Sequence, residues 1–361
     1  MNAFVETSAK RVAWLLNHST LHDFEVPLIR SLGLEIYTSK LLPRSNEFLS
    51  ASTDYSDDFY CTLPESVLTC LNAHNFYEDS FTPEVANYLN TYCDTVIAAA
   101  FPKLLTELVR HYKGRILIRV FGREAPYNYS EYFKTLDGGG LWSCLAGISH
   151  RFWLAASFAT IPEIEDSLLK TRSVILPLGI PNAYIPDKFS WQGADKKVLF
   201  VCPRIASHAF YYGKFYEEFK ANLGNFPYLV AGRQPIKVDD PNVIGFAPDE
   251  VYRALFKDLA LMFYHSREPR HLHYHPLEAI ASGMPVIYMR GGLMEMFGGQ
   301  EQPGACNNYH ESHEKIQRIL DGDTEFIKAI QKSQLEIIKP FKWGYCRNEW
   351  QKIFLGQILT S

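Results

Sequence analysis

LALMFYHSREPRHLHYHPLEAIASGMPVIYMRGGLMEMFGG, residues Leu259 to Gly299, carries three signals in succession. An apolar run, Leu259 to Tyr264, reads as a strand. A turn dense in His and Arg leads into a helix over Pro276 to Ser282, and Gly283-Met284-Pro285 feeds a second apolar run, Val286 to Met289, that stops at Gly291-Gly292. Strand, loop, helix, strand and Gly-rich loop in that order predict a parallel sheet covered by helices. Ligands of such sheets bind beyond the carboxyl ends of the strands, where the His/Arg loop and the Gly-Gly loop both fall.

The same grammar extends outward in both directions. Lys197 to Cys202, Tyr228 to Ala231 and Val243 to Phe246 read as strands, Tyr212 to Leu223 and Pro248 to Phe256 as helices, and the chain beyond His313 as helical to its end. In the first half, Arg11 to Leu16, Leu34 to Tyr37, Thr95 to Phe101 and Arg115 to Phe121 read as strands. Phe24 to Leu32 has helical spacing, residues 43–60 read as a long polar loop, and Glu65 to Asn90 as mostly helical, broken at Pro83. Val174 to Pro181 holds two prolines and a glycine, which marks it as the domain boundary. A length of 361 residues also favours two domains, at roughly 100–200 residues each.

Composition narrows the class. Hydrophobic residues make up 47% and charged residues 21%, values that predict a well-buried core and exclude disorder. A net charge of −4 gives no basic footprint, so nucleic acid is not an expected partner. The seven cysteines (Cys61, Cys70, Cys93, Cys144, Cys202, Cys306 and Cys346) are scattered without CxxC spacing. That pattern suits reduced thiols in a cytoplasmic protein rather than a zinc site. The first residues show no signal-peptide pattern, and no window reaches the ~18–20 apolar residues that span a bilayer. Peripheral contact with the inner face of a membrane stays open.

The second half resembles the donor domain of the GT-B glycosyltransferases that use nucleotide-sugar donors. Val174 to Ile180 is similar to the V-x-P-x-G-V linker of that group, and Cys202-Pro203-Arg204 with Gly213-Lys214 to its strand-end G-R and following K-G. Leu277 to Ile287 fits the second part of the signature E-x7-E with A-x-A-x-G-x-P-V-V, Gly291 to Glu295 matches G-G-x-x-E, and Phe341-Lys342-Trp343 resembles F-S-W. The likeness covers residues 174–361. The first Glu of E-x7-E is replaced by Arg270, and His275-Pro276 resembles the pair with which sialyl- and Kdo-transferases hold a CMP phosphate. The resemblance implies an α/β GT-B fold: two Rossmann-like domains with parallel sheets facing across a cleft and a C-terminal helix crossing back. Residues 1–178 are the expected acceptor domain, 179–340 the nucleotide-sugar domain, and 341–361 a helix returning to the first domain, with a hinge at 174–186.

Under that resemblance Arg204 and Lys214 supply positive charge to the donor phosphates, against a reading as solvated surface cations. Gly291 and Gly292 offer backbone N–H groups, or form a plain turn. Glu278 binds ribose, Gly232 closes a strand end against the donor, and Arg270 and His275 contact phosphate or a carboxylated sugar. The alternating His271, His273 and His275 are not expected to hold a metal, and no cofactor is expected. In the first domain Glu124, His18 and Asp23 lie at strand ends and are candidates for base or nucleophile. The implied reaction is transfer of a sugar from a nucleoside-diphosphate or CMP-activated donor to a glycan or lipid-linked acceptor, in bacterial surface polysaccharide synthesis. A nucleotide-sugar 2-epimerase and a non-catalytic glycan binder are the alternatives.

Overall fold

The computed structural model describes residues 10–44, 53–124, 126–181, 190–271 and 273–360. The leader reading of residues 1–9 and the 182–186 part of the expected hinge lie outside them. The chain divides into two compact units, Met1–Pro181 with Trp343–Ser361, and Asn182–Lys342.

In the first unit the strands β1 (Arg11–Leu15), β2 (Glu35–Thr38), β3 (Thr95–Ala99), β4 (Arg115–Val120), β5 (Phe152–Ala156) and β6 (Ser173–Ile175) form one sheet in the order β2-β1-β3-β4-β5-β6. Every pairing is parallel. Its helices are α1 (Ser19–Ser31), α2 (Glu65–Asn72), α3 (Pro83–Tyr92), α4 (Pro102–His111), α5 (Tyr129–Thr135), α6 (Gly140–Gly147), α7 (Ser167–Thr171) and, from the end of the chain, α14 (Trp343–Trp350). Strands covered on both faces bury nearly every residue, which is why RVAWL and RILIRV read as apolar runs, with one charge in the first and two in the second. Arg119 is the charge inside β4. It is buried, with Nε 2.9 Å from Glu25 of α1 and its guanidinium donating to the carbonyls of Ala155 and Leu176. The Trp14 indole N–H donates to the other Glu25 oxygen at 3.0 Å, and Trp350 of α14 donates to Pro177 O at 3.1 Å.

The second unit has β7 (Asp195–Val201), β8 (Tyr228–Ala231), β9 (Val243–Gly245), β10 (Leu259–Tyr264), β11 (Val286–Met289) and β12 (Ala305–Cys306), in the order β12-β11-β10-β7-β8-β9. These pairings are parallel as well. The helices are α8 (Lys214–Leu223), α9 (Asp249–Asp258), α10 (Tyr274–Ser282), α11 (Leu293–Gly298), α12 (Tyr309–Leu320) and α13 (Thr324–Ile338). Phe200 of β7 stacks on Phe219 of α8 with centroids 4.3 Å apart, and Phe263 of β10 closes the cluster. Each such fully buried ring contributes about 1.5–3 kcal/mol.

The motif Ser282-Gly283-Met284-Pro285 has a local cause. Gly283 ends α10 at φ +90, its N–H and that of Met284 satisfy the last carbonyls of the helix, and Pro285 cannot continue it. Two expectations needed revision. α1 begins at Ser19 rather than near Phe24, because His18 caps it, and residues 73–82 between α2 and α3 are not helical. The two-residue β12 is too short to carry a periodic signal.

Candidate functional site

In the second sheet the chain runs from β7 outward through β8 and β9, then returns to place β10 on the other side of β7. The strand order reverses between β7 and β10, and a crevice for a ligand forms outside the carboxyl ends at such a reversal. Arg204 follows β7 in the left-handed region, at φ +56. Its N–H donates to Arg233 O and its carbonyl accepts from His208 N–H, both at 2.8 Å. A non-glycine residue held there costs of order 1 kcal/mol or more, and such strain clusters at functional sites. Gly232, after β8, has φ +112, and a Cβ on it would lie 2.8 Å from Pro203 N, so the two strand-end turns press together only because this side chain is missing. Lys214 opens α8 directly after a π-helical turn, Ala209–Gly213. Its side chain is exposed, and its ammonium is 3.9 Å from Glu218.

Four histidines lie between the end of β10 and the first turn of α10. His265 is buried against the ring of Phe215, 4.2 Å between centroids, with Phe200 at 5.5 Å. Neither of its ring nitrogens has a hydrogen-bond partner among the described residues, and burial lowers its pKa to about 4. His273 Nδ1 lies 3.0 Å from Tyr264 Oη, and the His273 ring is 4.8 Å from His271 and 5.3 Å from His275. Burial, then the neighbouring His265, lowers His275 to about 3, and burial with the other three imidazoles pushes His273 far down. All three are neutral at physiological pH. His273 is the N-cap position of α10 and makes no side-chain cap bond to it. Glu278 is buried one turn further along α10, and Arg270 pairs with Glu268 at 3.4 Å. Gly291 and Gly292 form the turn between β11 and α11. The Gly291 N–H donates to Glu295, and a Cβ on Gly292 would lie 2.8 Å from Ser266 O, so this turn packs against the loop after β10.

In the first unit His18 caps α1, its Nδ1 accepting from Leu21 N–H at 3.4 Å, and burial lowers its pKa to about 4. That lone pair is committed to the cap, which leaves Nε2–H as a donor. Asp23 is exposed and 3.3 Å from His22 Nδ1; His22 Nε2 is 2.7 Å from the buried Asp57, which also accepts from Thr38 Oγ1. Burial alone would lower the His22 pKa, but hydrogen bonds and charge from Asp23 and Asp57 outweigh it and raise the value to about 9. His22, Asp54 and Asp57 present ligand-type atoms within 4.8 Å of one another, the described group whose geometry suits a metal ion. Lys40 stands beside them with its ammonium on Thr38 Oγ1 and the Asp54 backbone carbonyl, and 3.3 Å from the Asp58 carboxylate. Glu124 follows β4, two strands away from β1, about 10 Å along the sheet edge. Beside it the Arg123 guanidinium lies 4.3 Å over Tyr132.

The sequence-derived donor residues thus gather at the carboxyl end of the second sheet, while Glu124 stands apart from His18 and Asp23. Two residues escaped the sequence reading. His265 sits one position past an apolar run and looks like loop; Asp57 meets His22 only through the fold, so no local signal marks it. A described cavity of about 350 Å³, lined by Trp191, Lys196, Ala260, Thr324 and Lys328, lies at the opposite, amino end of the second sheet.

No protein-family model matches the sequence, and no curated protein matches it. Solved structures do. HepE of Anabaena, in complex with UDP and glucose, superposes with TM-score 0.60 at 11% identity, over 96% of this chain and 100% of that one. A glycosyltransferase from Rickettsia africae gives TM-score 0.58 at 13% identity, over 98% and 99%. Against TarM of S. aureus the figures are TM-score 0.49 and 13% identity over 74% of this chain, which spans 58% of the TarM chain. The fold is the two-domain, Rossmann-like fold of the GT-B glycosyltransferases.

Proposed function

We propose that this protein is a glycosyltransferase that takes a sugar from a nucleoside-phosphate-activated donor, a nucleoside diphosphate sugar or a CMP-sugar, and moves it to a saccharide acceptor. The observation that carries this reading is the reversal point of the second sheet, where the strained Arg204, the start of α10 with His275, and the buried Glu278 occur together. When the glycosidic bond breaks, the leaving phosphate gains negative charge. Arg204 and the N–H groups of α10 are donors held by the backbone where such charge develops, with the mobile Lys214 ammonium beside them, and preorganised donors stabilise a transition state at little reorganisation cost. Glu278 takes the ribose hydroxyls in this reading, and Arg270 the sugar. The first unit holds the acceptor at the ends of β1 and β4, with Glu124 or Asp23 as the base and His18 as a hydrogen-bond donor, its Nδ1 being engaged. Surface polysaccharide as the acceptor class follows from the resemblance, and HepE, crystallised with UDP and glucose, makes a uridine nucleotide the first to try.

The test is a thermal-shift series with UDP, GDP, ADP, dTDP and CMP. One nucleotide should raise the melting temperature, since a ligand that binds only the folded form stabilises it. Arg204→Ala and Glu278→Ala should each weaken that nucleotide about 10-fold or more, in line with charge-assisted hydrogen bonds worth ~1.5–3 kcal/mol. Unchanged affinity in both variants removes the site assignment. Product analysis with and without a saccharide acceptor separates transfer from 2-epimerisation.

A further inference from the structure

The loop that leaves β4 holds, next to Glu124, a cation whose bonding is incomplete. The Arg123 guanidinium lies 4.3 Å from the centroid of the Tyr132 ring, 5.8 Å from that of Tyr127 and 5.9 Å from that of Tyr129. Ring faces attract a cation at such distances, but they do not take its N–H groups as a carboxylate would. Arg11, Arg44, Arg110 and Arg119 of the same unit each meet a carboxylate. Arg123 is half-buried and has no hydrogen-bond or ion-pair partner among the described residues, so its N–H donors are unspent.

The rings around it are held by other means. Tyr129 is buried, its hydroxyl donates to Gly122 O at 3.1 Å, and its N–H and that of Ser130 donate to the two carboxylate oxygens of the buried Glu165 at 2.9 and 2.6 Å. Phe133 anchors α5 in the core, Asn128 caps it by accepting from Glu131 N–H at 2.7 Å, and Tyr127 N–H donates to the Glu124 carbonyl at 2.9 Å. None of these bonds involves the guanidinium. Arg123 is therefore not the tie that builds the loop, and the loop holds it with its charge uncompensated.

We propose that Arg123, steadied by Tyr127, Tyr129 and Tyr132, binds a carboxylate or phosphate group carried by the saccharide on which this protein acts. Calling that saccharide the acceptor rests on the transferase reading above. Either oxyanion offers two oxygens to the guanidinium fork, the pairing arginine makes most strongly. Tyr127, 61% exposed, offers a ring face to the carbon skeleton of the sugar beside it. Glu124 follows Arg123 directly in the chain. With Glu124 as the base, the anionic group sits on the sugar that presents the accepting hydroxyl or on its neighbour. A neutral glycan would leave the half-buried cation without a counter-charge; a uronic acid or a phosphorylated sugar supplies one. No bond forms or breaks at Arg123, so its part is binding and selectivity.

The experiment is a saturation-transfer NMR titration of the full chain with glucuronate, glucose 6-phosphate and methyl glucoside. At least one anionic sugar should bind roughly 10-fold tighter than the neutral one, as charge-assisted hydrogen bonds predict; which of the two does so tells a uronic acid from a phosphorylated sugar. Arg123→Met keeps the stem against the tyrosines and deletes the charge, and Arg123→Gln serves if that variant does not fold. Either should abolish the preference, Arg123→Lys should keep only part of it, and Arg204→Ala should keep it whole. Equal binding of all three sugars, or no binding of any, overturns the proposal. A preference that survives in Arg123→Met overturns it as well, and so does one lost in Arg204→Ala, which would put the anion in the second unit. Melting shifts with UDP and CMP are read beside the titration: their absence removes the transferase reading, while the sugar preference and its loss in Arg123→Met still decide the Arg123 site.

Discussion

At the scale of single residues, the stretch from Leu259 to Gly299 carries packing roles that its pattern does not show. Gly291-Gly292 reads as a phosphate loop or a plain turn, and the missing side chain of Gly292 also serves a backbone contact, against the Ser266 carbonyl. An alanine there forces backbone to move on both sides, an overpacking that costs ~1–3 kcal/mol. Gly292→Ala should therefore lower the denaturation midpoint by that order, and a midpoint equal to wild type in urea melts would dismiss the packing role. His18 shows the reverse limit. Its position at a strand end was legible, but its cap bond to Leu21 N–H, which takes the lone pair a base would need, depends on where α1 begins. Asp57 was beyond reach, since a carboxylate 35 positions from His22 has no pattern until the chain folds.

At the scale of elements the reading was strongest, and the reason is physical. Strands buried on both faces must be apolar throughout, so β1, β3, β4, β7, β10 and β11 announce themselves as runs. What a run hides is the exception inside it. Arg119, the fifth residue of β4, passed as one charge in RILIRV, although it ties α1, β5 and the segment after β6 together through Glu25, Ala155 O and Leu176 O. Removing one member leaves the other charge buried alone, which costs about 3–5 kcal/mol. Arg119→Met should thus destabilise the first unit severely, and the double variant Arg119→Met with Glu25→Leu should recover much of the loss. A double variant no better than the single would mean that the carbonyl contacts, not the ion pair, dominate.

At the scale of the whole molecule, the histidines set the pH range over which the protein is stable. His22, raised to about 9, stabilises the fold fully below the unfolded value near 6.5 and loses that contribution as pH climbs through 9. His18, His265 and His275, lowered by burial to about 4, 4 and 3, act with opposite sense. The unfolded chain takes up their protons below about pH 6.5 while the folded one does not, so stability falls on acidification. Melting temperature should peak near neutrality and decline on both sides. Asp57→Asn should flatten the alkaline decline and His265→Phe the acid one; an alkaline limb of unchanged slope in Asp57→Asn would refute the role given to His22.

The last nineteen residues belong to the unit that starts the chain, so the second unit is one unbroken length inserted into a discontinuous first one. The inserted unit closes its core from one continuous stretch, whereas the core under the first sheet takes Trp350, Phe354 and Ile358, all fully buried, from beyond residue 342. A chain ended after residue 342 would keep the second unit whole and leave the first with an open flank, the species a chaperone would hold.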